Sequence, residues 1–316
     1  LMGYATTFEQ LYGLRAVMGI SEALYIPSAL SLIADWHQDK SRSLAIGVHM
    51  TGLYVGQAIG GFGATAAAAF SWQSTFHWFG IAYSVVLIFF LHENPVRMKI
   101  EKVVANGISK RNSIGKGLLL LFSNISFWVI LFYFAAPSLP GWATKNWLPT
   151  LFAENLDIPM SQAGPISTIT IALSSFVGVI LGGFLSDRWV LKNIRGRVYT
   201  GAIGLGMTIP ALLLLGFGHG FISVIGAGLL FGIGFGIFDA NNMPILCQFV
   251  SAKYRGTAYG IMNMTGVFAG AAVTQLLGKW TDGGSLGEGF AMLSIVVALA
   301  LGLQIYFLRP KTDNME

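Results

Sequence analysis

An arginine and a glutamate interrupt an apolar run of the sequence that extends from Phe8 to Trp36. A run of this length can cross a lipid bilayer as a helix, and a charged side chain near its middle is costly there. Arg15 and Glu22 are separated by nearly two helical turns, so both lie on one helical face, about 10 Å apart along the axis. A guanidinium can hold a carboxylate through paired hydrogen bonds, and a buried carboxyl can load and release a proton.

Both charges also have structural explanations. Arg15 could form a structural ion pair or extend to the outer interface of the membrane, and Glu22 could form a permanent salt bridge with Arg15. The axial offset of about 10 Å is long for a direct contact. We therefore expect these two charges to face a partner, water or a ligand, and the functional and structural explanations both stay open at this point.

Two further basic side chains lie within apolar segments. Lys145 follows a proline-glycine segment together with Trp142, and it is either a second cationic contact for an anion or an interfacial anchor. His49 lies about 10 Å inside the membrane from Arg42 by helical rise. It is either a proton relay or a hydrogen-bonding partner for a neighbouring helix.

Uncharged polar residues and one acid occur in later apolar segments. Asp239, Asn241 and Asn242 precede Pro244 near the middle of a predicted span. They could contact substrate or bond neighbouring helices. Tyr133 could contact a ligand or pack against other aromatic rings.

The composition indicates an integral membrane protein. The 316 residues are 54% hydrophobic and 10% charged, with a mean hydropathy of +0.66, whereas a soluble domain carries about a quarter charged residues. The single Cys247 excludes an internal disulfide and a cysteine-built metal site within this sequence, and we expect no metal or cofactor. The sequence pI of about 9.3 reflects loop charges, so no nucleic-acid partner is expected.

The apolar pattern predicts nine spans, at 8–36, 43–70, 73–91, 126–152, 164–185, 199–217, 221–250, 257–277 and 290–308. Of the 19 lysines and arginines, all except Arg15, Lys145 and Lys279 fall at ends and loops on one side. This asymmetry places that side and the C-terminus in the cytoplasm. An odd number of spans and an opening within a span predict that an N-terminal part is missing.

The polar stretch from His92 to Lys116 predicts a cytoplasmic linker, 92–116, between two helical bundles. The bundles are 1–91, as the remainder of the first, and 117–316. Residues 117–122 are predicted to form a short amphipathic piece on the membrane surface. Prolines and a glycine at 137–141 predict a kinked or broken helix that lines a cavity.

An internal repeat supports the two bundles. Arg42-Ser-Leu-Ala-Ile-Gly recurs as Arg255-Gly-Thr-Ala-Tyr-Gly, and Met50-Thr-Gly-Leu-Tyr-Val-Gly recurs as Met264-Thr-Gly-Val-Phe-Ala-Gly. Six predicted spans separate the copies, so both run the same way through the membrane. Parallel six-span repeats are typical of the major facilitator superfamily.

Sequence motifs strengthen that resemblance. Gly183-Phe-Leu-Ser-Asp-Arg188 resembles the superfamily's G-x-L-a-D-R loop between paired helices. Arg15-x-x-x-Gly-x-x-Glu-x-x-x-x-Pro27 resembles the fourth helix of the anion:cation symporter family, which contains vesicular glutamate transporters, sialin, and galactonate and hexuronate transporters. Trp147-Leu-Pro149 and Gly260-x-x-Asn263 resemble its seventh and eleventh helices. The chain would then be an all-α membrane protein of the major facilitator fold, equivalent to helices 4–12 of twelve.

The resemblance implies roles for individual residues. Arg15 would hold the substrate carboxylate, Glu22 would be the protonatable coupling group, and Asn263 would be a polar group facing the cavity. Asp187 and Arg188 would belong to a cytoplasmic gate, with static anchoring of the loop as the alternative. The arginine of the seventh helix of vesicular glutamate transporters has no counterpart here, which favours a sugar acid or another organic anion.

No metalloprotease, nucleophile-elbow or Walker-A motif is present in the sequence, so an enzyme is not expected. We predict a secondary transporter of the cell (inner) membrane that imports a small carboxylate with protons by alternating access, acting as a monomer. The alternatives are an antiporter of organic phosphate or another anion, and a transporter-like receptor that binds ligand without turnover.

Overall fold

The structure is a computed structural model that describes residues 1–37, 41–90 and 114–310. Its regular elements in these ranges are helices, as expected for backbone that must satisfy its hydrogen bonds internally within a bilayer. Short 3-10 turns occur at Met2–Tyr4 and Ala252–Tyr254. The α-helices are α1 (Phe8–Trp36), α2 (Arg42–Gly60), α3 (Gly63–Ala69), α4 (Trp72–Phe90), α5 (Ile114–Phe122), α6 (Ile125–Leu156), α7 (Met160–Val190), α8 (Gly196–Phe217), α9 (Phe221–Asp239), α10 (Asn242–Phe249), α11 (Arg255–Asp282) and α12 (Leu286–Phe307).

Seven stretches within the described residues are long and apolar enough to cross a membrane. They lie in α1, α6, α7, α8, the segment from α9 to α10, α11 and α12. The other two predicted spans correspond to α2 with α3 and to α4. The helices α2 and α4 have 19 residues each and are not among the seven, so their membrane crossing stays a prediction.

The fourth span was predicted to be kinked or broken; it is not broken, and the kink stays a prediction. The helix α6 continues from Ile125 to Leu156 with Pro137, Pro140 and Pro149 inside it. The Ser138 hydroxyl donates to the carbonyl of Phe134 at 2.7 Å, so a side chain supplies a hydrogen bond next to the prolines. Prolines are tolerated inside membrane helices when neighbouring groups satisfy the carbonyls that lose their donor.

The described residues of Leu1–Ser21 and Gly63–Ser123 belong to one compact unit, called unit 1. Its N-terminal turn packs on α4, where the rings of Tyr4 and His77 have centroids 4.4 Å apart. The helix α3 also packs against α4. The predicted amphipathic piece at 117–122 is helical, as part of α5, and its position on the membrane surface stays a prediction.

Unit 2 consists of Glu22–Phe62 and Asn124–Glu316, and α7 lies at its centre between α2 and α9. The backbones of α2 and α7, and those of α7 and α9, approach each other closely at glycines. A Cβ on Gly47 of α2 would lie 2.8 Å from the Val179 carbonyl oxygen, and a Cβ on Gly182 of α7 would lie 2.7 Å from Cα of Ile237. Small residues therefore let these helices approach more closely than larger side chains would allow.

The remaining helices of unit 2 pack around this centre. The helix α8 contacts α9 and α12, while α6 contacts α11 and α12. Arg42 and Arg255, the paired arginines of the internal repeat, are the first residues of α2 and α11. The predicted bundle ranges 1–91 and 117–316 stay a prediction, and most of the predicted linker at 92–116 lies outside the described residues.

Candidate functional site

A carboxyl group in unit 2 connects three helices. Asp239 is the last residue of α9 and is half-buried. The Tyr54 hydroxyl of α2 donates a 3.0 Å hydrogen bond to its Oδ2, and the Asn242 side-chain amide of α10 donates a 3.1 Å bond to its Oδ1. Both carboxylate oxygens therefore accept a hydrogen bond, from donors that carry no charge.

Lys145 of α6 is the cation that interacts electrostatically with Asp239. Lys145 and Asp239 lie close enough for each charge to act on the other. The Lys145 side chain is exposed, and its ammonium lies 5.0 Å from the ring centroid of Trp142. A cation within an apolar helix usually belongs to a ligand or ion pathway.

Two buried tyrosines complete the surroundings of Asp239, which acts electrostatically on both of them. Tyr133 of α6 is 1% exposed, and its ring centroid lies 5.2 Å from that of Phe238. Tyr259 comes from the second turn of α11 and is also buried. The cluster around Asp239 thus joins side chains from α2, α6, α9, α10 and α11.

Several buried polar atoms near this cluster make no hydrogen bond to another described residue. They are the Tyr133 hydroxyl and the Oδ1 atoms of Asn241 and Asn242. Buried polar atoms usually have partners, and these are therefore able to bond water or a polar substrate. The Asn241 amide nitrogen donates instead to the Ile237 carbonyl at 2.8 Å, within its own helix end.

The two charges that opened the sequence analysis lie on α1. Arg15 and Glu22 are both exposed, and neither forms a hydrogen bond or ion pair with another described residue. Their roles in substrate binding and proton coupling stay predictions.

The other two predicted site residues are half-buried. His49 of α2 lies with its ring centroid 6.0 Å from that of Tyr25, and its Nε2 has no hydrogen-bond partner among the described residues. Asn263 lies in the third turn of α11. The structure does not connect either residue to Asp239 by a hydrogen bond.

The predicted gate is built around Asp187, near the end of α7. Its carboxylate accepts hydrogen bonds from the backbone N–H groups of Ser43, at 3.2 Å, and Leu44, at 2.9 Å. These donors belong to the first turn of α2, where the helix dipole favours a negative charge. Nη2 of the buried Arg197 also lies 3.3 Å from Oδ1 of Asp187.

Arg188 lies outside this network, although the sequence motif pairs it with Asp187. Its side chain is exposed, and its guanidinium lies 4.2 Å from the ring centroid of Phe184. The ion pair to Asp187 comes instead from Arg197, on the next helix. The gating roles predicted for Asp187 and Arg188 stay predictions, with Arg197 as an added member.

Sequence reasoning noted Asp239 without assigning it a role, and it missed Tyr54 and Tyr259. The internal repeat contained a signal for Tyr54, because the repeat pairs it with Phe268. Tyr54 is 6% exposed and Phe268 is 68% exposed. Only the first copy of the repeat carries a hydroxyl at this position, on Tyr54, and this side chain is the buried one of the pair. The difference between the copies therefore indicates a specific hydrogen bond of Tyr54. Among the described residues, no group of three or more His, Cys, Asp or Glu side chains could hold a metal ion.

Comparison with known proteins decides the family. Residues 1–275 match the description of the Major Facilitator Superfamily, which is most of the chain. The chain belongs to the major facilitator superfamily. This membership agrees with the helical architecture of the described residues and with the seven apolar stretches of a multi-pass membrane protein.

Curated relatives of this superfamily chain are proteins named for anions. It is 26% identical over 315 residues to the voltage-gated purine nucleotide uniporter SLC17A9 of Rattus norvegicus, across 93% of this chain and 66% of that protein. It is 25% identical over 346 residues to the D-galactonate transporter of Escherichia coli, across 94% and 74%. It is 24% identical over 323 residues to the sodium-dependent phosphate transport protein 1 of Arabidopsis thaliana, across 90% and 59%. The chain spans about two thirds of the length of these relatives.

Proposed function

We propose that this protein carries a small organic anion, such as a sugar acid, across the cell (inner) membrane together with protons. The observation that supports this most strongly is the cluster of Lys145, Tyr133 and Asp239 within otherwise apolar helices. Charged side chains in such helices are costly and usually belong to a substrate or proton pathway. The names of the relatives support the anion, since nucleotides, galactonate and phosphate all carry negative charge.

Two cations are proposed to contact the anionic group of the substrate. Arg15 offers a planar guanidinium that can bind a carboxylate through two parallel hydrogen bonds. Lys145 offers an ammonium that is exposed and near Asp239. Neutral contacts to the rest of the substrate would come from Tyr133, Asn241, Asn242 and Asn263, which supply hydroxyl and amide groups.

We assign proton coupling to Glu22. His49, in the same unit, is proposed to relay protons. An exposed carboxyl on a membrane helix can gain a proton when the surrounding water is acidic and lose it on the other side.

The contact between Asp187 and the start of α2 is proposed as a gate that is closed in this structure. Opening between α2 and α7 would break two backbone hydrogen bonds and expose the Asp187–Arg197 pair. We propose, from the asymmetric distribution of lysines and arginines, that this end and the C-terminus face the cytoplasm. The protein would then expose its substrate site to the other side while the gate is closed.

Uptake by purified protein in liposomes tests this function. The test anions are labelled D-galactonate, ascorbate, phosphate and ATP, each with and without an inward proton gradient. The Glu22→Gln variant should retain counterflow exchange and lose the gradient-driven uptake of the wild type. Glu9→Gln, on the same helix and also exposed, is the matched control and should behave as wild type. Unchanged gradient-driven uptake by Glu22→Gln removes Glu22 from the mechanism.

A second candidate is transport of a phosphate-bearing anion without proton coupling. The names of the rat and Arabidopsis relatives favour it, since one is a nucleotide uniporter and the other a phosphate transport protein. It predicts uptake of ATP or phosphate that does not respond to the proton gradient.

A further inference from the structure

We propose that the start of α8 and the end of α12 together bind the headgroup of an anionic phospholipid. The guanidinium groups of Arg195 and Arg309 would hold its phosphate. This site is separate from the substrate site of the proposed function. It assigns a partner to two arginines that have no role in the proposed gate or in substrate binding.

The two arginines meet at the last turn of α12. Nη2 of Arg195 donates a hydrogen bond to the carbonyl oxygen of Ile305, and Nε of Arg309 donates to that of Tyr306 at 3.2 Å. The last carbonyl groups of a helix have no amide partner within the helix, and basic side chains often satisfy them. Because Ile305 and Tyr306 are consecutive residues, the two guanidiniums are attached to neighbouring carbonyl oxygens.

Each guanidinium keeps donors for a further acceptor. A guanidinium carries several N–H groups in a planar fork, and each of these two bonds uses one nitrogen. Neither arginine forms an ion pair with a described acid, and Asp187, an acid at this end of unit 2, is buried and paired with Arg197. Arg309 is exposed and Arg195 is half-buried. Two neighbouring guanidiniums without an acidic partner suit phosphate, whose oxygens they can bind in pairs.

Tyrosine rings support both guanidinium groups. The guanidinium carbon of Arg195 lies 4.8 Å from the ring centroid of Tyr199, and that of Arg309 lies 5.8 Å from the ring centroid of Tyr306. The ring of Trp189, in the last turn of α7, lies 5.6 Å from the Tyr199 ring between centroids. Tyrosine and tryptophan rings are typical of the level at which lipid headgroups lie, so these rings place the arginines at that level.

The apolar stretches of α8 and α12 place the site at the same level. Gly196–Phe217 and Leu286–Phe307 are both long and apolar enough to cross a membrane. Arg195 directly precedes the first stretch, and Arg309 lies just beyond the second. Their tyrosine partners lie inside the stretches. Cations outside a span with aromatic rings just inside it match the boundary between headgroups and acyl chains.

Exposed apolar side chains continue from this site toward the middle of the membrane. The helices α8 and α12 are aligned here, because a Cβ on Gly201 would lie 3.2 Å from Nε2 of Gln304. Deeper than this level, Ile203 of α8 and Leu303 and Leu299 of α12 are exposed. A phospholipid bound by its phosphate can place its acyl chains against these side chains, whereas free phosphate gains no such contact. The surface therefore favours a lipid over a soluble anion.

The charges around the site favour a lipid with a net negative charge. Arg188, Lys192 and Lys253 are exposed at the same end of unit 2 and add positive charge. A zwitterionic headgroup carries an ammonium that would need an acidic partner, and the acid at this end, Asp187, is buried. Basic clusters at the membrane surface bind anionic lipids for this electrostatic reason.

Lipid titration of the purified protein in detergent tests the site. Phosphatidylglycerol and phosphatidylcholine with identical acyl chains are added, and bound lipid is counted by native mass spectrometry. The wild type should bind phosphatidylglycerol more tightly. In the double variant Arg195→Gln with Arg309→Gln, the Kd for phosphatidylglycerol should rise about 25-fold, roughly fivefold for each lost charge, with the Kd for phosphatidylcholine unchanged.

Further variants separate lipid binding from the role of the arginines at the helix end. Arg195→Lys with Arg309→Lys keeps both charges and should keep most of the preference for phosphatidylglycerol. Lys279→Gln removes an exposed charge from the last turn of α11, at the opposite end of unit 2, and should bind both lipids as the wild type does. Arg309→Gln alone provides the test if the double variant does not fold, because Arg309 is exposed and follows α12. It should raise the Kd for phosphatidylglycerol roughly fivefold.

The outcomes distinguish a lipid, a free anion and a simple helix cap. Equal Kd values of the wild type for the two lipids overturn the site, and so does a full preference for phosphatidylglycerol in the glutamine variants. Inorganic phosphate that displaces the lipid at concentrations near the lipid's own Kd overturns the lipid assignment in favour of a soluble anion. Lipid binding is measured without uptake, so its failure leaves the proposed function unchanged.

Discussion

The carboxylate of Asp187 and the guanidinium of Arg197 form a buried ion pair across the turn between α7 and α8, with Nη2 and Oδ1 3.3 Å apart. The same carboxylate accepts two backbone hydrogen bonds from the start of α2. One acid therefore holds the ends of three helices together, at the end of unit 2 that carries the loop arginines.

Replacement of Asp187 with asparagine should destabilise this helix end. The variant removes the acid that pairs with Arg197 and weakens the contact to the first turn of α2, which we expect to lower the unfolding free energy by at least about 2 kcal/mol. Thermal unfolding in detergent measures the loss. Asp282→Asn, an exposed acid at the end of α11, should leave the Tm unchanged. If Asp187→Asn and Asp282→Asn have the same Tm, the contacts of Asp187 contribute nothing to stability.

Removal of the Tyr54 hydroxyl should weaken the connection between α2 and α9. Tyr54→Phe deletes the 3.0 Å hydrogen bond to Asp239 and keeps the ring, so we expect a loss of about 0.5–1.5 kcal/mol and slower uptake. Tyr83→Phe, at a residue 67% exposed on α4, is the control and should change neither quantity. A wild-type Tm and uptake rate in Tyr54→Phe would remove this hydrogen bond from the account.

A methyl group on Gly182 should separate α7 from α9. Its Cβ would meet Cα of Ile237 at 2.7 Å, and backbone cannot move aside as a side chain can. We expect Gly182→Ala to cost about 1–3 kcal/mol through overpacking. Gly164→Ala lies on the same helix with no atom within 4 Å of its Cβ, and it should be neutral or stabilising by up to about 1 kcal/mol. Equal stability of the two variants would contradict the packing described for α7.

Lysine at position 15 should distinguish substrate binding from a structural charge. Arg15→Lys keeps the positive charge and loses the paired donors of the guanidinium, so the KM for a carboxylate should rise roughly tenfold. Uptake kinetics in liposomes measure this change, with Arg309→Lys as an exposed control near the end of the chain. A KM that stays at the wild-type value would favour a side chain that only extends to the membrane interface.

Much of the fold could be predicted because periodic apolar runs and loop charges act locally along the chain. The apolar runs predicted the long apolar helices, and Arg42 and Arg255, which the repeat pairs, are each the first residue of a helix. The continuity of α6 could not be predicted, since its prolines suggested a kink or a break and the packing of α6 against α11 and α12 depends on the folded geometry.

The site was predicted only in part, for a physical reason. Tyr133, Lys145 and Asn242 were each identified from their polarity in apolar segments. Their common neighbour is Asp239, and its contact with Tyr54 joins residues 185 positions apart, which only helix packing can bring together. In the same way the motif favoured Arg188 beside Asp187, while packing of α8 supplied Arg197.

Proton movement driven by the substrate is the most direct measurement of the central claim. Liposomes containing the purified protein and a pH-sensitive dye start with equal pH on both sides, and the anion that gives the highest uptake is added outside. The account predicts that the interior becomes more acidic as the anion enters, and that Glu22→Gln reduces this change. Entry of the anion with no change of interior pH would contradict proton symport.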